Sequence, residues 1–226
     1  MPQAATTTFW RSSIGRKVVM AVTGAILFGF VLGHLAGNLT VYLGPEALNG
    51  YAVFLRQFLH GAGLWIARAV LLLSVILHIW SATSLTLSSR AARPVGYRER
   101  QWTESTYASR TMRWSGVIIL LFVIYHLLHF TFGTVHPSFV EGDVYHNFVT
   151  GFQSVPVSIA YIVAMIFLGL HLRHGVWSMF QTLGVSHPRY IRWAHVGWQQ
   201  WDIPSNRQVL SVLDSVDKEG SAETPM

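Results

Sequence analysis

Among its 226 residues the chain has no cysteine. That absence excludes disulfides, a thiol nucleophile, a cysteine-ligated iron–sulfur cluster and a covalently attached c-type haem. Any redox chemistry must therefore use a noncovalent cofactor or a partner. Charge is scarce as well: 12% of the residues are Asp, Glu, Lys or Arg, against roughly 25% in a soluble domain. The ten acidic residues are outnumbered by sixteen basic ones, for a formal charge of +6. The basic residues cluster between apolar runs, which is how membrane topology is set, so no nucleic-acid partner is expected. The first seventeen residues also lack a short apolar region ahead of a small-residue cleavage site, so the first long apolar run reads as a retained signal-anchor helix.

What is present is apolar surface, 51% of the residues. A spanning helix needs about 20 predominantly apolar residues. Four segments qualify: Val18 to Leu43, Leu64 to Leu87, Met112 to Thr134 and Val157 to Gln181. None of them contains Asp or Glu. The expected fold is an all-α, polytopic transmembrane bundle of four spans. "GPEALNG", "SSRAARPVGYRERQ" and "HPSFVEGD" carry loop signals between them. "YAVFLRQFL", Tyr51 to Leu59, reads either as a short helix at the membrane surface or as an ordered loop. No internal repeat stands out.

Orientation follows from Lys and Arg. Arg11, Arg16 and Lys17 precede the first span, and Arg90, Arg93, Arg98, Arg100, Arg110 and Arg113 flank the second connection. The first connection has only Arg56 and the third has none. The N-terminus, the second connection and the C-terminus are therefore expected on the cytoplasmic side. Tyr42, Trp65, Trp102, Trp114 and Trp177 sit near span ends, as interfacial anchors do. Residues 1–17 read as a cytoplasmic arm, 18–183 as the bundle and 184–226 as a partly disordered cytoplasmic tail.

Each span contains histidine: His34, then His78, then His126 and His129, then His171 and His174. Imidazoles in a membrane interior are costly and face the bundle. At about 1.5 Å per residue from the cytoplasmic end, His34 lies about 24 Å and His126 about 21 Å along their spans. His78 lies about 14 Å and His171 about 15 Å from that end. Two pairs at two depths suit two bis-histidine haems, because each iron takes one imidazole from either face of the porphyrin. The expected axial ligands are His34 with His126, and His78 with His171. Histidines hydrogen-bonded between helices are the simpler explanation for any one of them; four at paired levels favour ligation. His129 and His174 are the alternates, lying nearly one turn beyond His126 and His171.

Gly29, Gly33 and Gly37 recur every four residues along the first span, leaving a groove for either a helix backbone or a porphyrin. Arg68 and Arg173, just inside span ends, either snorkel to the interface or neutralise haem propionates.

"SSIGRKVVMAVTGAILFGFVLGHLAGNL", "ILHIWSA", "FVIYHLLHF" and "LHLRHGVWSMFQTLG" together resemble the membrane cytochrome b subunit of succinate:quinone and fumarate:quinone oxidoreductases, the single-chain di-haem type. The resemblance covers about residues 10–190. It implies an outer haem b on His34 and His126 and an inner one on His78 and His171, with His126 preferred to His129 and His171 to His174. It also implies a flavoprotein subunit and an iron–sulfur subunit as partners, membrane lipid around the bundle, homo-oligomeric association of whole complexes, and quinone, of the menaquinone kind, as electron acceptor. The implied location is a bacterial cell membrane, with the chain crossing it several times. The chain would be an anchor and electron conduit and not catalytic by itself. The family usually has five spans, against the four expected here. Two other functions fit the histidines: the cytochrome b of another respiratory oxidoreductase, of hydrogenase or formate dehydrogenase type, and a non-haem transporter relaying protons. The lack of membrane Asp or Glu speaks against the transporter.

Overall fold

The computed structural model describes residue 9 and residues 12–92 and 107–184, with only the backbone described for 107–111. The arginines at 93, 98 and 100, Trp102 and the tail from residue 185 lie outside the described residues. Among the described residues six α-helices follow one another: α1 Ser13–Asn38, α2 Pro45–Gln57, α3 Ala62–Ala91, α4 Tyr107–His126, α5 Val144–Phe152 and α6 Val155–Thr182. No strand occurs among the described residues. Among the described residues four segments are long and apolar enough to cross a membrane, and they carry α1, α3, α4 and α6. The expected all-α, four-span architecture is present.

α1 starts at Ser13, within the expected N-terminal arm, because Ser12 caps it: its hydroxyl oxygen accepts a hydrogen bond from the Gly15 amide at 2.9 Å. Arg16 thereby enters the first turns, where its Nη1 donates to the Ser84 and Ser88 hydroxyls, each at 2.8 Å, and fastens the start of α1 to the end of α3. α1 packs along α3 and against α6, and α4 packs along α6. Outward-facing Leu72, Leu121, Ile162 and Ile166 are all more than half exposed, as lipid-facing residues are.

The connections differ from expectation. "GPEALNG" is not a loop: Gly44, at φ 100°, turns the chain, Pro45 occupies the first helical turn, and α2 runs on through the expected Tyr51 helix to Gln57. Leu59, His60 and Gly61 then take positive φ in succession and send the chain back into α3. The third connection contains α5, which no run in the sequence announces. Asp143 caps it, accepting from the His146 amide and from Asn49 Nδ2, both at 3.0 Å, while the Tyr145 amide donates to Asn49 Oδ1. The amide of His146, then the Asn49 side chain, hold the Asp143 carboxyl below its ordinary range. Asn49 thus ties α2 to α5 at the end of the bundle away from Arg16.

α4 does not end cleanly. Leu127–Thr131 continues it as a π-turn, with the Phe132 amide donating to the Leu127 carbonyl at 2.9 Å. Such insertions change which side chains share a face.

Candidate functional site

α1 and α4 stand across the bundle from each other, as do α3 and α6; neither pair is among the helices that pack directly. The histidines reach across these two diagonals. His34 on α1 and His126 on α4 have ring centroids 5.8 Å apart at 89°. His78 on α3 and His171 on α6 have centroids 6.3 Å apart at 58°. The two pairs expected from depth are therefore both in contact range.

The separations bear on what the pairs can hold. Two metal–nitrogen bonds of about 2 Å each, plus the distance of about 1 Å from each nitrogen to its ring centre, require about 6 Å between centroids. Both pairs meet that requirement. The four rings also keep accessible surface despite lying mid-span: His34 is exposed, and His78, His126 and His171 are partly so. Around them few large side chains fill the interior, and the only buried hydrophobic residues among those described are Ala21, Leu48, Tyr161 and Ala164. Gly29 and Gly33 have no heavy atom within 4 Å of where a Cβ would stand. Only the third glycine of that row, Gly37, packs closely, against the ring of Tyr51. Residues and spacing fit a bis-imidazole haem in each diagonal.

The alternates are placed differently. His129 is completely buried. Its ring stacks between Tyr125, at 5.5 Å, and His136, at 4.9 Å. Its Nδ1 lies 3.1 Å from the Tyr161 hydroxyl, and its Nε2 has no hydrogen-bond partner among the described residues. His174 is half-buried near the end of α6. Arg68 is exposed and lies over the Trp65 ring at 5.0 Å, as a snorkelling residue does. Arg173 is half-buried.

Thr23, Ser115 and Tyr161, which the sequence did not single out, complete the site. Thr23 Oγ1 is 3.2 Å from Nδ1 of His78, Ser115 Oγ is 3.2 Å from Nδ1 of His171, and the Tyr161 hydroxyl is 3.2 Å from Nδ1 of His126. A repeat would have revealed the first two. Met20, Thr23, Gly24, Phe30 and His34 of α1 recur 92 residues later as Met112, Ser115, Gly116, Phe122 and His126 of α4. Ile66, Ala67, Val70, Leu77 and His78 recur 93 residues later as Ile159, Ala160, Val163, Leu170 and His171. The geometry repeats too: Phe30 stacks on His34 at 5.3 Å, and Phe122 lies 5.9 Å from His126.

The family model of the succinate dehydrogenase/fumarate reductase transmembrane subunit matches residues 89–196, just under half of the chain. Over those residues the chain is similar to this family. The match takes in α4 and α6 with His126, His129, His171 and His174. α1 and α3, with His34 and His78, lie outside it but carry the repeated pattern. A subunit of this family is a multi-pass membrane protein that works beside the other subunits of a succinate dehydrogenase or fumarate reductase complex. Comparison with curated proteins and with solved structures gives no significant match.

Proposed function

We propose that the chain is the membrane anchor and electron-transfer subunit of a succinate:quinone oxidoreductase. The observation that carries this reading is the pair of histidine diagonals, 5.8 and 6.3 Å between centroids, in a chain whose residues 89–196 match the family model. His34 and His126 would hold an outer haem b, and His78 and His171 an inner one. When bound, the two haems supply one-electron carriers between an iron–sulfur subunit and quinone, menaquinone by family resemblance. The protein's own work is to hold the imidazoles at a fixed separation, to exclude water from them, and to anchor the flavoprotein and iron–sulfur subunits. The basic residues at the Arg16 end make that end the cytoplasmic one and the docking side. Without those partners the chain has no route to oxidise succinate.

The test is a reduced-minus-oxidised spectrum of the purified protein with a haem count. Two b-type haems per chain are expected, falling to one in His34→Ala and one in His78→Ala. A wild-type protein without b-type absorbance, or substitutions that leave both haems in full, would overturn the reading. Copurification with flavin and iron–sulfur subunits would separate it from a hydrogenase or formate dehydrogenase cytochrome.

A further inference from the structure

We infer that Thr23 and Ser115 are positioning residues for the inner histidine pair, each fixing the protonation pattern and aim of the imidazole on the helix it faces. The inference rests on the haem reading above and extends it to residues of α1 and α4 that carry no ligand.

The argument is one of donors and acceptors. A hydroxyl has a single proton to give. Thr23 Oγ1 gives its proton back to its own helix, to the Val19 carbonyl at 2.7 Å, with the Met20 carbonyl at 3.2 Å. Ser115 Oγ does the same toward the Met112 carbonyl at 2.9 Å. Toward the imidazoles, therefore, both oxygens can only accept. Each inner Nδ1 must then carry a hydrogen and donate it. The proton is placed on Nδ1, and the lone pair falls on Nε2, which has no hydrogen-bond partner among the described residues. That is the state a metal-binding imidazole needs, with the far nitrogen anchored by a second group.

Two further features make the arrangement a built one. It occurs twice, at equivalent positions of the repeat, "MAVTG" facing α3 and "MRWSG" facing α6. In each copy the glycine after the hydroxyl residue brings the helix backbone up to the ring: a Cβ on Gly24 would stand 3.4 Å from His78 Cε1, and one on Gly116 3.7 Å from His171 Cε1. The outer pair uses another device, the Tyr161 phenol on His126, so the threonine and serine anchors belong to the inner level.

The test uses the whole protein in detergent or lipid, with each haem assigned through His34→Ala and His78→Ala. Thr23→Val and Ser115→Val keep the shape and remove the acceptor. An imidazole whose Nδ1–H donates to an acceptor is a stronger electron donor and favours ferric iron, so its loss raises the inner potential. The expected change is a two- to tenfold shift of the ferric–ferrous equilibrium toward ferrous, tenfold being about 59 mV for one electron. The low-temperature EPR signal of the inner haem should move with it while the outer haem keeps its potential. Thr23→Ser and Ser115→Thr should restore the wild-type values. Loss of the inner haem alone, recovered by those swaps, would support the inference equally. An unchanged inner potential and EPR signal, equal shifts of both haems, or loss of both haems that the swaps do not recover would overturn it. A wild-type protein with no haem would overturn the haem reading and this inference together; two haems with an indifferent inner one would overturn this inference alone.

Discussion

The Tyr161 hydroxyl lies 3.2 Å from Nδ1 of His126, and the same oxygen lies 3.1 Å from Nδ1 of His129. One phenolic proton serves two nitrogens, so only one histidine can receive it. If His126 binds metal through Nε2, its Nδ1 carries hydrogen and donates to the phenol oxygen. The phenol then donates to His129, whose remaining N–H is the buried Nε2 that lacks a partner among the described residues.

Tyr161→Phe removes both bonds and leaves two nitrogens in an aromatic cluster with Phe122 at 4.9 Å and Phe152 at 4.8 Å. The expected cost is about 1–3 kcal/mol for the unpaired groups. It should appear as a lower unfolding temperature in detergent and a changed potential of the outer haem, with the inner haem unaffected.

His126 and His129 should separate in a haem count. His126→Phe is expected to lose one b-type haem. His129→Phe should retain two, because the His129 ring is buried against Tyr125 and His136, whereas His126 is the ring in contact with His34. The measurement is pyridine haemochrome per mole of protein. A protein that loses a haem on His129→Phe and keeps both on His126→Phe would reverse the ligand assignment.

Much of this arrangement is legible in the sequence, for identifiable reasons. Apolar runs free of Asp and Glu announce the four spans, and a fixed rise per residue converts histidine positions into depths, which pair His34 with His126 and His78 with His171. α2 escapes because Gly44, Pro45, Asn49 and Gly50 are loop-forming residues that here serve a turn, a first helical turn and a tie to α5. α5 is too short for periodicity to register, and the π-turn after His126 has no compositional mark. Thr23 and Ser115 are hidden because a hydroxyl in an apolar helix ordinarily bonds its own carbonyls and nothing more. The repeat that exposes them runs at 92 residues in one helix pair and at 93 in the other, so no single offset aligns both.

Asp143 gives the outer connection an acid sensitivity of definite sign. The His146 amide and Asn49 depress its carboxyl in the folded protein. A group with a lowered folded pKa adds stability that is complete above its unfolded value, about 3.9, and fades as pH falls through the folded one. Asp143→Ala should therefore open the α2–α5 tie more readily than wild type at pH 5 to 7, and the difference should close below about pH 4. Hydrogen exchange of the α5 amides against pH reads this directly. A difference that widens on acidification would contradict the assignment.

The glycine row of α1 divides into two roles, and substitutions should divide with it. At Gly37 a Cβ would come 2.5 Å from Tyr51 Cε1 and 2.8 Å from its hydroxyl, so Gly37→Leu must push Tyr51 and α2 off the span. Its expected signature is a drop in unfolding temperature together with faster exchange in α2. At Gly33, beside His34, a Cβ meets nothing within 4 Å, so Gly33→Ala is expected to fold normally and to gain up to about 1 kcal/mol from helix propensity. Helix packing as the purpose of the whole row requires both substitutions to destabilise alike. The surroundings of the two glycines require that only the Gly37 substitution does.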